Sequence, residues 1–374
     1  MPSWLKEGRG SLCGANVSLL LREMGITKPL LVAGERTKNV FFARTGMRLP
    51  VFDAFHPNPD LQDCVAGAAL YQEKGCDGLI SIGGGSAMDT AKGIKALLMT
   101  DIAHVRANQL PSEGNVPHLA IPGTAGTGAE TTAVAVLYED GQKLSVDHPA
   151  LLPDGVLLDG SLLDTLPEYH RKSCAMDALA QGIESWWAKK ATPGSRIHAE
   201  RAIRGVLDNL TAYLQGDRKA QDEMLHAAYE SGMAILTTRT TAAHAMSYQI
   251  TKKLGAAHGH ACMLTLPHLW AHLAAQAEYQ PMLTELSSLL GGEKPMDGAI
   301  LLKGLLAVLE LDKIPMPDDA TLDMLAASVN PERLGNHPEA LTTAQLRAIY
   351  VQAFTPMTDT ERAEAIAAWE QYGK

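Results

Sequence analysis

The chain has 374 residues, more than one ordinary core needs and enough for two domains. Its 46% hydrophobic and 20% charged residues are those of a globular protein, and a formal charge of −10 disfavours nucleic acid and anionic membrane surfaces as partners. No run reaches the roughly eighteen apolar residues of a spanning helix, and the first seven residues lack a basic-then-apolar leader, so a cytoplasmic location is expected.

Between about 29 and 160, short apolar runs alternate with helix-length segments. Leu30-Leu31-Val32-Ala33-Gly34, Gly78-Leu79-Ile80-Ser81-Ile82, His118-Leu119-Ala120-Ile121 and Val156-Leu157-Leu158 are closed by a nearby Gly or Pro. Buried parallel strands with crossover helices give that pattern, so residues 1–163 are predicted to form a doubly wound α/β domain. Ala, Leu, Met, Glu and Gln then dominate, and segments 172–189, 195–214 and 219–236 have helical length and composition. Residues 164–374 are predicted to be all-helical, with turns at 291–295 and 314–317.

Two loops follow predicted strands. Gly83-Gly84-Gly85-Ser86, before Asp89-Thr90-Ala91-Lys92, joins a strand to a helix start. Glycines let backbone approach a ligand, and free N–H groups at a helix start attract phosphate, so a pyrophosphate fits there. The same run also reads as a tight turn capped by Ser86. Pro122-Gly123-Thr124-Ala125-Gly126-Thr127-Gly128 suits a dinucleotide through its small residues and hydroxyls, and equally reads as a surface loop.

Asp177 and Gln181 are four apart and share a helix face, and His244, His258 and His260 follow. A carboxylate with two imidazoles is a plausible donor set for Fe or Zn, able to polarise a carbonyl. Taken singly, each also reads as a solvated polar residue or a packed histidine. Cys13, Cys64, Cys76, Cys174 and Cys262 are scattered and without CxxC spacing. They are read as reduced thiols, against both a disulfide framework and a thiolate zinc site.

Taken together, these motifs resemble the iron-containing, or group III, alcohol dehydrogenases over nearly the whole chain. The resemblance rests on Pro57-Asn58-Pro59, the glycine loop with Asp89-Thr90-Ala91-Lys92, the Pro122 to Glu130 loop, Asp177-Ala178-Leu179, His244 and His258-Gly259. It implies a Rossmann-like dinucleotide-binding domain beside an all-α domain, as in dehydroquinate synthase, and an NADH- or NADPH-dependent oxidoreductase. Glu184-Ser185-Trp186-Trp187, His244-Ala245-Met246-Ser247-Tyr248, His258-Gly259-His260-Ala261 and Val329-Asn330-Pro331-Glu332 resemble the phosphonoacetaldehyde reductase branch. That branch implies reduction of a small anionic aldehyde, phosphonoacetaldehyde, to 2-hydroxyethylphosphonate. Sulfoacetaldehyde and broad-range alcohols are the near alternatives. A non-redox cyclase and a silent nucleotide-binding protein are the remote ones.

Carried onto this chain, the resemblance implies metal ligands at Asp177, Gln181, His244 and His258, with Gln181 standing where relatives usually have His. It implies cofactor contacts at Gly34, Gly83, Gly84, Gly85, Ser86, Asp89, Thr124, Thr127 and Lys143. His260 or Tyr248 is expected to relay the proton. Gly34 leaves room for a 2′-phosphate that Arg36 or Lys38 could neutralise, while Glu35 could instead bind the ribose of NADH. Arg239, Lys252 and Lys253 are candidates for the substrate's anionic tail. A homodimer is expected.

Overall fold

The computed structural model describes residues 6–112 and 116–372. The leader reading of the first seven residues falls largely outside them. The chain divides into two compact units, Met1–Thr165 and Leu166–Lys374.

In the first unit, strands β1 (Lys6–Arg9), β2 (Pro29–Ala33), β3 (Val51–Phe52), β4 (Gly78–Gly83), β5 (His118–Pro122) and β8 (Gly155–Leu158) form one sheet in the order β1-β8-β5-β4-β2-β3. Every neighbouring pair is parallel. Parallel neighbours need crossovers, supplied here by α1 (Gly14–Glu23), α2 (Glu35–Thr45), α3 (Leu61–Lys74), α4 (Gly85–Met99) and α5 (Ile102–Arg106). Strands β2, β4, β5 and β8 are buried on both faces, which is why their sequences run largely apolar without alternation. Leu30, Val32 and Leu79 pack on one face with Leu61 and Ile94. Leu31, Ala33, Ile80 and Ile82 pack on the other with Val17 and Phe41.

An antiparallel hairpin, β6 (Val134–Glu139) with β7 (Gln142–Asp147), lies outside this sheet and is absent from the sequence reading. Its two-residue turn is Asp140-Gly141, both at positive φ (50° and 73°), as hairpin turns that match strand twist require. The signal was local and present.

The second unit is helical: α6 (Glu168–Trp187), α7 (Pro193–Leu214), α8 (Arg218–Thr238), α9 (Ala242–Leu254), α10 (His258–Ala274) and six further helices between 280 and 372, with no strand among the described residues. Sequence starts α7 sharply, since Thr192 caps it reciprocally with Ser195 and Pro193 occupies the first turn. No helix among the described residues is long and apolar enough to cross a membrane.

Two glycines fix how helices approach in this unit. A Cβ on Gly182 would stand 2.9 Å from Ile203 Cγ1, where α6 meets α7. One on Gly259 would stand 2.0 Å from the carbonyl oxygen of Ser173 and 2.7 Å from Asp177 Cβ. Only glycine lets the start of α10 lie that close to α6.

Candidate functional site

In the first unit the register carries β2, β4 and β5 to a common edge, with Ala33 beside Ile82 and Gly83 beside Pro122. The loops at these carboxyl ends therefore emerge side by side, where open parallel sheets bind ligands. Gly83 takes φ +148°, and the Gly123 N–H donates to its carbonyl at 2.7 Å. A Cβ on Gly84 would meet Thr124 Cγ2 at 3.2 Å, and one on Gly85 would meet Thr127 Cγ2 at 3.7 Å. The structure thus brings together Gly83, Gly84, Gly85, Thr124 and Thr127.

No side chain caps the start of α4, so Ser86 does not play the capping part that a plain turn would give it. Its Oγ instead accepts the Asn58 N–H at 3.2 Å. Gly34, Glu35 and Arg36 line the same 350 Å³ cavity as the glycine loop, and nothing lies within 4 Å of a Cβ on Gly34.

Asp89 accepts the Val136 N–H, and burial raises its carboxyl to about 6 against the pull of Lys92 and Lys143. Lys143 itself is exposed on β7. Lys92, to which its sequence motif gives no site role, is fully buried and donates to Ala129 O (2.7 Å), Val134 O (2.9 Å) and Thr132 Oγ1 (3.1 Å). It holds the end of the Pro122 loop in place. Arg36 is bonded to Thr165, and Lys38 is paired with Glu35 and with Asp53 at 2.7 Å. Both cations proposed for a 2′-phosphate have protein partners.

In the second unit, α6 presents Asp177, Gln181 and Glu184 at successive turns, all buried. Glu184 Oε1 accepts from the Thr241 N–H (3.1 Å), the Thr241 hydroxyl (2.6 Å) and the Ala243 N–H (2.9 Å), so it caps α9 from outside the helix. Its other oxygen takes the hydrogen of His244 Nδ1. Burial pushes this carboxyl up, yet His244 and the surrounding donors outweigh it and hold it below the usual range. That contact turns His244 Nε2 toward Asp177 Oδ1, 3.3 Å away.

His258 is oriented similarly. The Ser247 hydroxyl donates to His244 O at 2.8 Å, leaving its oxygen to accept from His258 Nδ1 at 3.2 Å. His258 Nε2 then lies 3.9 Å from Asp177 Oδ1. One turn along α10, Cys262 Sγ stands 3.8 Å from His258 Nε2. Donor atoms of Asp177, His244, His258 and Cys262 all lie within 4.8 Å of one another.

Ion–donor distances of about 2.0–2.3 Å in a tetrahedral site put donors roughly 3.3–3.8 Å apart, so these spacings suit a single cation. Two atoms carry the fit. Asp177 Oδ1 and His244 Nε2 are buried and pair only with each other, at 3.3 Å and without hydrogen-bond geometry, an arrangement that a cation between them would improve. Burial pushes the Cys262 thiol up and the His244 ring down, but His244 and His258 hold the thiol low while Cys262, Glu184 and Asp177 hold His244 well above the imidazole range, so an ion entering this cluster displaces a proton from His244.

The other expected residues have their own partners. Gln181 Oε1 accepts from Ser231 Oγ at 2.8 Å. His260 is buried with both ring nitrogens engaged: Nε2 with Leu311 O at 2.8 Å and Nδ1 with the Tyr169 hydroxyl at 3.1 Å. The Tyr248 ring stacks on His258, with centroids 5.9 Å apart and planes 1° from parallel. Arg239 sits at φ +63° and donates to Leu236 O at 2.7 Å, while Lys252 and Lys253 are exposed in the last turn of α9.

The cysteines bear on the same cluster. All five cysteines are free, but Cys262 stands among the other donors. A rule built on CxxC pairs overlooks a mixed cluster. The usable signal was His258-x-x-x-Cys262, an i,i+4 pair that must share one helix face.

Residues 3–160 match the family described as iron-containing alcohol dehydrogenase, and residues 172–354 match the C-terminal description of the same family. The chain is 30% identical over 299 residues to an NAD-dependent methanol dehydrogenase of Bacillus methanolicus, covering 75% of this chain and 77% of that protein. It is 36% identical over 228 residues to a phosphonoacetaldehyde reductase of Streptomyces viridochromogenes, covering 57% and 58%. The chain spans 60% and 63% of the length of two further curated relatives. Among solved structures, a sulfoacetaldehyde reductase from Bifidobacterium kashiwanohense in complex with NAD+ superposes with a TM-score of 0.84 at 25% identity, covering 95% of this chain and 97% of that one.

Proposed function

The chain belongs to the iron-containing alcohol dehydrogenase family, and from that premise we propose that it reduces a small anionic aldehyde, phosphonoacetaldehyde first, to its alcohol with a reduced nicotinamide cofactor. The observation that carries the reading is the convergence of Asp177 Oδ1 with the Nε2 atoms of His244 and His258, two of these three atoms being buried and without a hydrogen bond. The choice of an anionic aldehyde rests on two similar proteins, the phosphonoacetaldehyde reductase and the sulfoacetaldehyde reductase.

When bound, the nicotinamide supplies a hydride and a divalent ion supplies Lewis acidity toward the carbonyl oxygen. The protein's own residues divide the remaining work. Gly83, Gly84, Gly85 and Ser86, backed by Thr124 and Thr127, receive the pyrophosphate at the start of α4. Asp177, His244 and His258 hold the ion, with Glu184 and Ser247 fixing which imidazole nitrogen faces it. Tyr248, stacked on His258, is the proton donor in this scheme. His260 spends both nitrogens on Leu311 and Tyr169 and serves to seat α10. NADH is the expected cofactor, because Glu35 and Asp53 already neutralise Lys38.

Nicotinamide absorbance followed across phosphonoacetaldehyde, sulfoacetaldehyde and neutral aldehydes, with and without added Zn(II) or Fe(II), tests the reading. Selective, ion-dependent oxidation of NADH by a charged aldehyde is expected. Equal turnover of neutral aldehydes would reject the anionic class, and no oxidation with any aldehyde would reject the reductase.

A further inference from the structure

We propose that Cys262 is a ligand of the ion, completing a set of carboxylate, two imidazoles and thiolate that does not need Gln181. The proposal rests on the reading above that this cluster holds a divalent ion, and it changes the set that resemblance implies. Three observations carry it.

The first is placement. Cys262 follows His258 by one helical turn on α10, and its Sγ lies 3.8 Å from His258 Nε2 and 4.0 Å from Nδ1, against the ring and beside the nitrogen that faces Asp177. Its side chain is fully buried, so the sulfur has no solvent to face.

The second is the set of atoms it faces. Asp177 is 2% exposed and His244 3% exposed, and Asp177 Oδ1 and His244 Nε2 have no hydrogen-bond partner. These two polar atoms, 3.3 Å apart without hydrogen-bond geometry, and a sulfur gathered within 4.8 Å, together with His258, describe the surroundings of a cation. A buried cysteine that merely filled space would face apolar atoms.

The third is where Gln181 goes. It precedes Glu184 on the same face of α6, yet its Oε1 accepts from Ser231 on α8. An amide oxygen is a neutral, weak donor, whereas a thiolate brings a full charge. With Asp177 it gives two negative charges against a divalent ion. As the sulfur–metal bond forms, the proton held on His244 passes to water. Such a mixed N/O/S tetrahedral set favours Zn(II), and Co(II) adopts the same geometry.

Cobalt is therefore the probe. The full chain, freed of metal with a chelator and titrated with Co(II), is expected to develop an intense near-ultraviolet sulfur-to-cobalt charge-transfer absorption that saturates at one ion per chain. Cys262→Ser should bind cobalt without that absorption, and Gln181→Ala should keep it. A second measurement needs no variant. Bound Zn(II) should protect Cys262 from alkylation, read by peptide mass spectrometry, and chelation should remove the protection.

Cobalt bound without the absorption, the same absorption in Cys262→Ser, alkylation of Cys262 at an equal rate with and without Zn(II), or failure to bind either ion would each overturn the proposal. None of these readouts depends on turnover. A chain that shows the absorption but reduces no aldehyde loses its reductase reading and keeps this one, and an active chain without it does the reverse.

Discussion

Glu184 holds His244 through both its oxygens: one accepts at His244 Nδ1, and the other caps the helix on which His244 sits, through Thr241 and Ala243. Ring and backbone are thus fixed by one buried carboxylate, and the ring's remaining nitrogen is aimed at Asp177. Glu184→Gln offers one acceptor oxygen where two are used, so either the ring or the helix start loses its partner. Ion affinity is expected to fall by about 10–100-fold, the usual cost of removing a residue that orients a ligand. Chelator competition on folded protein measures it, and an unchanged affinity would remove the orienting role.

The Gly259 backbone is the reason His258 can stand beside Asp177. A methyl group there would sit 2.0 Å from the Ser173 carbonyl, on backbone that has no flexible end to move aside. Gly259→Ala should push α10 off α6, destabilising the unit by about 1–3 kcal/mol and separating the ligands. Urea unfolding together with the stoichiometry of bound ion tests this. Full ion binding at unaltered stability is the outcome that contradicts it.

How much could be read beforehand follows from how local each signal is. The strands at 29–33, 78–83 and 118–122 announce themselves as apolar runs ending in Gly or Pro, and the glycine loop is contiguous. Asp177, His244 and His258 could be nominated by type, but the atoms that orient them could not. Glu184 reaches His244 across 60 residues of sequence, and Ser247 meets His258 only because α9 and α10 pack together. The partners of Gln181 and His260, Ser231 and Tyr169 with Leu311, are likewise far away in sequence. Lys38 looked like a phosphate site because Asp53, 15 residues away, was not visible as its neighbour.

Cofactor preference should follow those carboxylates. Lys38 lies 2.7 Å from Asp53 and is also paired with Glu35, which lines the cavity beside Gly34. Exchanging both carboxylates for amides, Glu35→Gln with Asp53→Asn, leaves Lys38 with charge to spare for a 2′-phosphate. With those partners removed, kcat/KM for NADPH relative to NADH should rise severalfold. Steady-state kinetics with both cofactors decides it, and a ratio that stays constant would mean the phosphate does not pass this lysine.

Acid should destabilise the protein through histidines that are buried uncharged. His337 is fully buried edge-on to Trp187, neither ring nitrogen has a partner, and burial lowers its pKa to about 4. His118 is held well below 6.5, first by burial and then by Lys95 and Lys92. Above pH 6.5 neither folded nor unfolded chain carries these protons. Between 6.5 and 4 the unfolded chain takes them up and the folded chain refuses, so stability falls as pH falls, by about 1.4 kcal/mol per unit for each proton fully withheld. Below about 4 the His337 contribution flattens. His337→Phe keeps an aromatic ring against Trp187 and has nothing to titrate, so its unfolding free energy should depend on pH with about one proton less between pH 6 and 4.5. Urea unfolding of both proteins across that interval gives the two slopes, and equal slopes would show that the folded chain admits the His337 proton.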